Sequence, residues 1–334
     1  MLLKITHHTD LEYSDLISES VMELRMSPRQ ELDQHRLSFT LAIGPAAPAL
    51  SYFDWLGNIV HSFSVNTFHR KIEILATSVV ETDRPRPQVE RFADRWPIDP
   101  ASLDYSLYDF LTFGGPVMDV PKLRELIAVI NPQPGDSLGE IALRVLHLLN
   151  DKFVYKQGVT TAASPITDIL DNGQGVCQDF THLMIAIARA LKIPARYVSG
   201  IVHPEAHMYR GFTETHAWCE LYFPSAGWVG FDAANNTLVG GNFIKVAIGR
   251  HFGDVPPNKG VYRGKSAEKI TVRVRSEELK AIPAEMAAER VEALTVPVYP
   301  TGVVINRDMI NQQQEQQQQG WQQQQSQQQQ WRRI

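Results

Sequence analysis

Apolar and polar positions alternate in short runs through roughly the first 85 residues. Residues 2–6, 20–26, 37–43, 59–65 and 71–80 carry β-branched and aromatic side chains in partial alternation, broken by turn residues, and each predicts a strand. Leu56-Gly57-Asn58 predicts a hairpin turn. Short strands at this spacing predict an antiparallel, sandwich-like β-rich domain over residues 1–85. From Arg84 the alternation stops. Arg84-Pro-Arg-Pro87, Trp96-Pro97 and Asp99-Pro100 predict a connecting segment laid along the surface, so residues 86–135 read as a linker with helices.

The period then becomes helical. Pro121 opens an amphipathic stretch to Ile130, where its missing N–H costs little. Ser137 with Glu140 fits a capping box for a helix running to Asn150. After Phe153-Val-Tyr155 and a polar loop through Ser164, a short helix is predicted at 166–170. Val176, Phe180, Leu183, Met184, Ile187 and Leu191 recur at helical spacing, and Lys192-Ile-Pro194 ends that helix. One of its faces is therefore expected to be buried, anchoring whatever stands at its start.

Beyond it, 195–199 predicts a strand, 203–212 a polar loop, and 215–223 with 228–232 an antiparallel hairpin around Pro224-Ser-Ala-Gly227. Alternation puts His216, Trp218, Glu220 and Tyr222 on one face, and Ala217, Cys219 and Leu221 on the other. Residues 240–257, with three glycines and Pro256-Pro257, read as irregular chain. Residues 269–275 predict a last strand, and residues 136–275 read as one core domain. Residues 276–310, a C-terminal extension, are ambiguous between a helix at 276–292 and extended chain. Residues 311–334 are mostly glutamine with no apolar face and predict a disordered tail.

Composition narrows the classes. In 334 residues, 43% hydrophobic and 21% charged content describes a globular protein, and a net charge of −5 offers no electrostatic footprint for nucleic acid. No run approaches the ~18 apolar residues of a membrane span, and no charged leader precedes an apolar stretch, so a cytoplasmic protein is expected, with no membrane partner. Two cysteines, Cys177 and Cys219, are too few for a disulfide framework or a cysteine-rich zinc site.

Candidate chemistry centres on Asp171-Asn-Gly-Gln-Gly-Val-Cys177-Gln-Asp179. Glycine-rich turn residues place the Cys177 thiol at the first turn of a helix, where unpaired N–H groups and the macrodipole favour an anion. His216 and Asp232 stand on the two strands of the predicted hairpin, close enough to its midpoint to meet across the ladder, with the register open by ~1 to 3 residues. Cysteine, histidine and carboxylate together could serve as nucleophile, base and orienter. The competing reading is structural, since a free cysteine is commonly a small buried hydrophobe. Three features weigh against it: the helix-start position of Cys177, the hairpin setting of His216 beside Trp218, and Asp232 at the end of the next strand.

Four segments carry a family resemblance: Gly175-Val-Cys177-Gln-Asp-Phe-Thr-His182-Leu, Ile193-Pro-Ala-Arg196-Tyr-Val-Ser-Gly200, Thr215-His216-Ala-Trp218 and Gly227-Trp-Val-Gly-Phe-Asp232. The pattern resembles the transglutaminase-like superfamily, a branch of the papain-like thiol enzymes, from Ile141 to about Asp254. Leu24-Arg-Met-Ser-Pro-Arg29 and Asp54-Trp-Leu-Gly-Asn58 resemble the β-rich domain that precedes the core in a bacterial branch. The resemblance implies an α+β fold, with a cysteine-bearing helix packed on an antiparallel sheet. It implies a Cys177–His216–Asp232 triad acting on amide or peptide bonds through an acyl-enzyme, with a peptide or protein substrate. By resemblance alone, an ATP-grasp-type peptide ligase is a partner. Where related sequences read Asp-Pro-Thr-Asn, this chain has Asp232-Ala-Ala-Asn235, which keeps the carboxylate and alters the turn.

No acidic, glycine-spaced loop resembles a calcium site, and neither a metal nor a cofactor is expected. His203 and His207 are four apart, but Pro204 favours a loop over a metal site. His182 reads as structural, Asp179 as complementary to the helix dipole, and Cys219 as inert; Trp218 fits core or cleft wall equally. Hydrolysis is slightly favoured over amine transfer. The alternative class is a catalytically silent peptide-binding or assembly module on the same fold.

Overall fold

A computed structural model describes residues 1–204, 215–281 and 290–294. The N-terminal strands are β1 (Leu2–Ile17), β2 (Glu19–Leu24), β3 (Gln34–Gly44), β4 (Ala49–Phe53), β5 (Ile59–Val65) and β6 (His69–Thr82). Then come α1 (Pro121–Ile130), α2 (Leu138–Lys152), β7 (Val154–Tyr155), α3 (Ile166–Asn172), β8 (Gln174–Gly175) and α4 (Cys177–Ala190). Strands β9 (Ala195–Val202), β10 (Thr215–Phe223), β11 (Gly227–Asp232), β12 (Thr237–Leu238) and β13 (Phe243–Gly249) follow. The described chain closes with β14 (Asn258–Arg263), β15 (Glu268–Glu278) and β16 (Arg290–Ala293).

The fold is α+β, as expected. Two sheets, ordered β15-β1-β6-β3-β16 and β14-β2-β5-β4, form the β-rich part. Leu11, Ile17, Phe39, Leu41 and Ile72 from the first meet Met22, Leu24, Phe63 and Val65 from the second in one apolar cluster. Burial alternates along β1 and β6, the signature of a sheet with one face inside. The predicted turn at Leu56-Gly57-Asn58 joins β4 to β5, with Gly57 in the left-handed region at φ 72°.

A third sheet, β12-β11-β10-β9-β13, forms the core. On one face, Ala217, Cys219, Leu221 and Phe231 pack against Phe180, Leu183, Met184 and Ile187 of α4. Leu3, Ile5 and Val80 of the β-rich part pack against Ile201, Ile244 and Val246, and Leu56 against the cluster holding Trp218 and Phe243. The sheet is therefore closed by a helix on one side and by the β-rich part on the other, which leaves its strand ends to carry chemistry.

Three sequence expectations need correction. Strands β14 and β15 do not belong with residues 136–275: β14 pairs with β2 and β15 with β1, completing the N-terminal sheets. Pairing partners this distant leave no local trace. Residues 240–257 are not simply irregular, because β13 lies there; all seven of its residues are buried, so its apolar run shows no alternation. The linker is not a surface strap either. Val89, Ile98 and Val117 are buried in the main core and the Trp96 indole N–H donates to the Leu191 carbonyl at 2.9 Å. These apolar residues fit no helical or strand period because the segment is irregular and proline-rich. Of residues 276–310, the described part holds the end of β15 and all of β16 and no helix, and the glutamine-rich tail lies outside the described residues.

The edge strand β13 is covered in an unusual way. Its backbone is met by two fully buried carboxamides from the β-rich part, Gln34 and Asn58. Asn58 Nδ2 donates to the Ile248 carbonyl at 2.8 Å, and its Oδ1 accepts from the Ile248 N–H at 2.8 Å. Gln34 does the same at Lys245, with both distances 2.8 Å. Each amide side chain thus imitates a residue of a neighbouring strand. Asn58→Ala strands two buried backbone groups at about 1–3 kcal/mol each, so a stability loss of roughly 2–6 kcal/mol is expected in urea denaturation. A loss under about 0.5 kcal/mol would show that the bonds contribute nothing net.

Candidate active site

Cys177 is the first residue of α4, with Val176 extended before it, so its N–H points out of the helix start. The turn is held from two sides. Asp179 folds back so that Oδ2 accepts from the Val176 N–H at 2.7 Å and from the Thr160 hydroxyl at 2.6 Å. Gly175 permits that fold, since a Cβ there would lie 2.8 Å from Asp179 Cβ and Oδ2. Burial raises the Asp179 pKa against those two hydrogen bonds. Asp179 therefore does more than complement the helix dipole: it ties the loop carrying Thr160 to the residues before Cys177.

His216 stands near the start of β10, and Asp232 ends β11. The ladder pairs Cys219 with Phe231 and Phe223 with Gly227, two residues away from a register that would set His216 directly opposite Asp232. They are instead diagonal neighbours on one face, and His216 Nε2 lies 2.7 Å from Asp232 Oδ2. The Cys177 thiol is near enough to the ring to help raise its pKa. With Nε2–H donating to the carboxylate, Nδ1 is left for the sulfur. The three residues singled out in the sequence are thus brought together, with His216 hydrogen-bonded to Asp232 and Cys177 beside it.

Burial alone would push the His216 pKa down, but the charge and hydrogen bond of Asp232, joined by those of Cys177, raise it to about 10. Asp232 is fully buried and well supplied with donors: the N–H groups of Ala234 and Asn235 reach Oδ1 at 3.1 and 3.3 Å. Asn235 Nδ2 reaches Oδ2 at 2.7 Å. None of these bonds uses the N–H of residue 233. The alanine that replaces the usual proline at that position therefore leaves the carboxylate's support intact. Asn235, quoted above only as part of a motif, is the neighbour of both His216 and Asp232 that pattern reading passed over.

The other candidates sort as follows. Cys219 is fully buried, with its S–H directed at the Phe231 carbonyl and its pKa raised by burial. His182 accepts from the Phe252 N–H at 3.1 Å and lies against Tyr197; burial lowers its pKa to about 3. Trp218 is core, fully buried against Phe243 and Gly200. His203 Nδ1 lies 3.0 Å from the Ser276 hydroxyl, and His207 lies outside the described residues. Among the described residues, His8, Asp10 and Glu73 bring ligand-type atoms within 4.8 Å of one another. Lys71 and Arg273 already neutralise that cluster, Lys71 reaching Asp10 at 2.7 Å and Glu73 at 3.3 Å.

Comparison with known proteins agrees with this architecture. Residues 128–233 match the transglutaminase-like superfamily, and residues 3–81 match the bacterial transglutaminase-like N-terminal region. The uncharacterized protein Rv2569c of Mycobacterium tuberculosis is 30% identical over 283 residues, covering 80% of this chain and 89% of its own. The uncharacterized protein ML0607 of Mycobacterium leprae is 29% identical over 280 residues, covering 81% of this chain and 97% of its own. A solved structure of a proposed cysteine protease from Cytophaga hutchinsonii superposes with a TM-score of 0.67 at 20% identity, over 85% of this chain and 93% of that one. The chain belongs to the transglutaminase-like superfamily, in the form that carries the bacterial N-terminal region.

Proposed function

We propose that the protein is a thiol enzyme that cleaves amide or peptide bonds of a peptide or protein through an acyl-enzyme on Cys177, resolved by water in preference to an amine. The observation that carries this reading is the 2.7 Å hydrogen bond of His216 to the buried Asp232, with Cys177 close enough to raise the pKa of the same ring. An imidazolium beside sulfur favours the charged pair, and the buried carboxylate fixes the ring's orientation.

In the first half-reaction the thiolate adds to the acyl carbon, a C–S bond forms, and the carbonyl π electrons move to oxygen. Collapse breaks the C–N bond as His216 gives its proton to the departing amine. In the second half the ring takes a proton from water, the resulting hydroxide adds to the thioester, and the thiolate leaves with the acid released. Cys177 is half-buried, which leaves the acyl-enzyme within reach of water.

The test is incubation of the full chain with a peptide library, with and without an added primary amine, read by mass spectrometry beside Cys177→Ala. Cys177-dependent products of water alone are expected. Amine adducts as the dominant product would reassign the protein as a transferase. A library unchanged by the native chain would favour the silent binding module.

A further inference from the structure

The buried Asp232 carboxylate has about four acceptor sites, and four donors meet them. Oδ1 takes the Ala234 and Asn235 N–H groups from the turn behind it. Oδ2 takes two side chains, His216 through Nε2 and Asn235 through Nδ2, both at 2.7 Å. The carboxamide must present its nitrogen to the carboxylate, because its oxygen in that place would face another oxygen at the same distance. Nδ2 also lies 3.3 Å from Nε2. With Nε2–H already donating to Asp232, that approach is two donors crowding a single buried oxygen. The turn brings Asn235 there, and its next residue, Asn236, stands in the left-handed region at φ 52°.

We propose that Asn235 is a positioning residue that acts on His216 through Asp232: it shares the oxygen that holds the ring and so limits how tightly the pair keeps the ring proton. Its part in the reaction rests on His216 serving Cys177 as described above. Two donors on one oxygen weaken each other, so the Asn235 bond is strongest when the imidazole is neutral. Asn235 therefore favours release of the proton, against the pull of the carboxylate. A ring that gives its proton to a departing amine needs a charge held in place and a proton it can part with. Burial opposes the charge on the ring, while Asp232 from β11 and Cys177 from α4 favour it. Gly200 stands opposite on β9, and β13 presents the uncharged Phe243 ring at 6.4 Å. Glu220, further along β10 on the same face, is bonded to Arg196 and Lys245. The Tyr155 phenol of β7 is kept neutral by burial first and then by the charges of Cys177 and Asp232.

The experiment titrates His216 in the full chain by NMR, through the ring signal that disappears in His216→Ala, and follows alkylation of Cys177 by iodoacetamide over the same pH range. Asn235→Ala is expected to move the ring's midpoint up by roughly 0.5–1 unit, a fraction of what a hydrogen bond to a charged group contributes. The alkaline end of the alkylation plateau should move up with it. Asn235→Leu, which fills the space without a donor, should do the same. A midpoint that stays or falls in either variant, once folded, would overturn the proposal and leave Asn235 as a support of the turn. A rise in Asn235→Ala alone would overturn it too, by assigning the effect to the space left behind. Native Cys177 alkylated no faster than the buried Cys219 would instead sink the proposed function, and the ring's midpoint would still decide the role of Asn235.

Discussion

Replacing His216 with alanine is expected to cut the rate at which Cys177 is acylated at neutral pH by about two to four orders of magnitude, the usual contribution of a positioned acid–base group. The ring does two jobs in one place: Nε2 is held by Asp232, and the other edge faces the sulfur. Because its pKa is raised to about 10 by Asp232 and Cys177 against the pull of burial, the imidazolium persists through the neutral range. The pH profile follows. Native acyl transfer should hold up well above the ordinary histidine range and decline as pH passes through about 10, where the ring loses its proton. Asp232→Asn removes the main source of the upward shift, so the decline should move to lower pH. An alkaline limb that stays in place in Asp232→Asn would show that the carboxylate does not set the ring's protonation. The same linkage stabilises the fold: the contribution is whole below pH 6.5 and is lost as pH rises through about 10.

The second large effect concerns stability. Glu220, on the same face of β10 as His216, is buried with Arg196 at 2.6 Å and Lys245 at 2.7 Å, and Lys245 reaches on to Glu31 at 2.7 Å. This chain of charges runs from the β-rich part through β13 to β10 and β9. Burial alone would raise the Glu220 pKa, but Arg196 and Lys245 lower it to about 2. Glu220→Leu leaves two buried cations short of a partner, and a loss of about 3–5 kcal/mol is expected in guanidinium denaturation at pH 7. The carboxylate's contribution is present above its ordinary value of 4.5 and is lost as pH falls toward about 2. Glu220→Leu should therefore lose less stability than the native chain between pH 5 and pH 3. Equal acid sensitivity in the two would place the titrating groups elsewhere.

Elements whose signal is local were legible in the sequence. The α4 face of Phe180, Leu183, Met184 and Ile187 has helical spacing because one side meets the sheet. The hairpin of β10 and β11 carries turn residues at its centre, and its register differs from symmetry about position 224 by a single two-residue step. That step still leaves His216 and Asp232 on one face, since a diagonal neighbour shares the face of the residue opposite. Elements defined by remote partners were not legible. β13 is apolar on both faces because the sheet is covered on both, and nothing in its own residues announces that Gln34 and Asn58 close its edge. β4 was missed for the opposite reason, as an edge strand with Leu50 and Phe53 exposed.

The return of β15 to β1 bears on how the protein is made. β1 lies between β6 and β15, so until residues 268–278 have been synthesised one side of a 16-residue strand has unpaired N–H and C=O groups. At a ribosomal pace of ~5–20 residues per second, that interval is on the order of tens of seconds. Throughout it the nascent chain offers an open strand to any other chain nearby. Truncation before Glu268 would make the interval permanent, and the shortened product should aggregate even though every residue of the proposed triad is present.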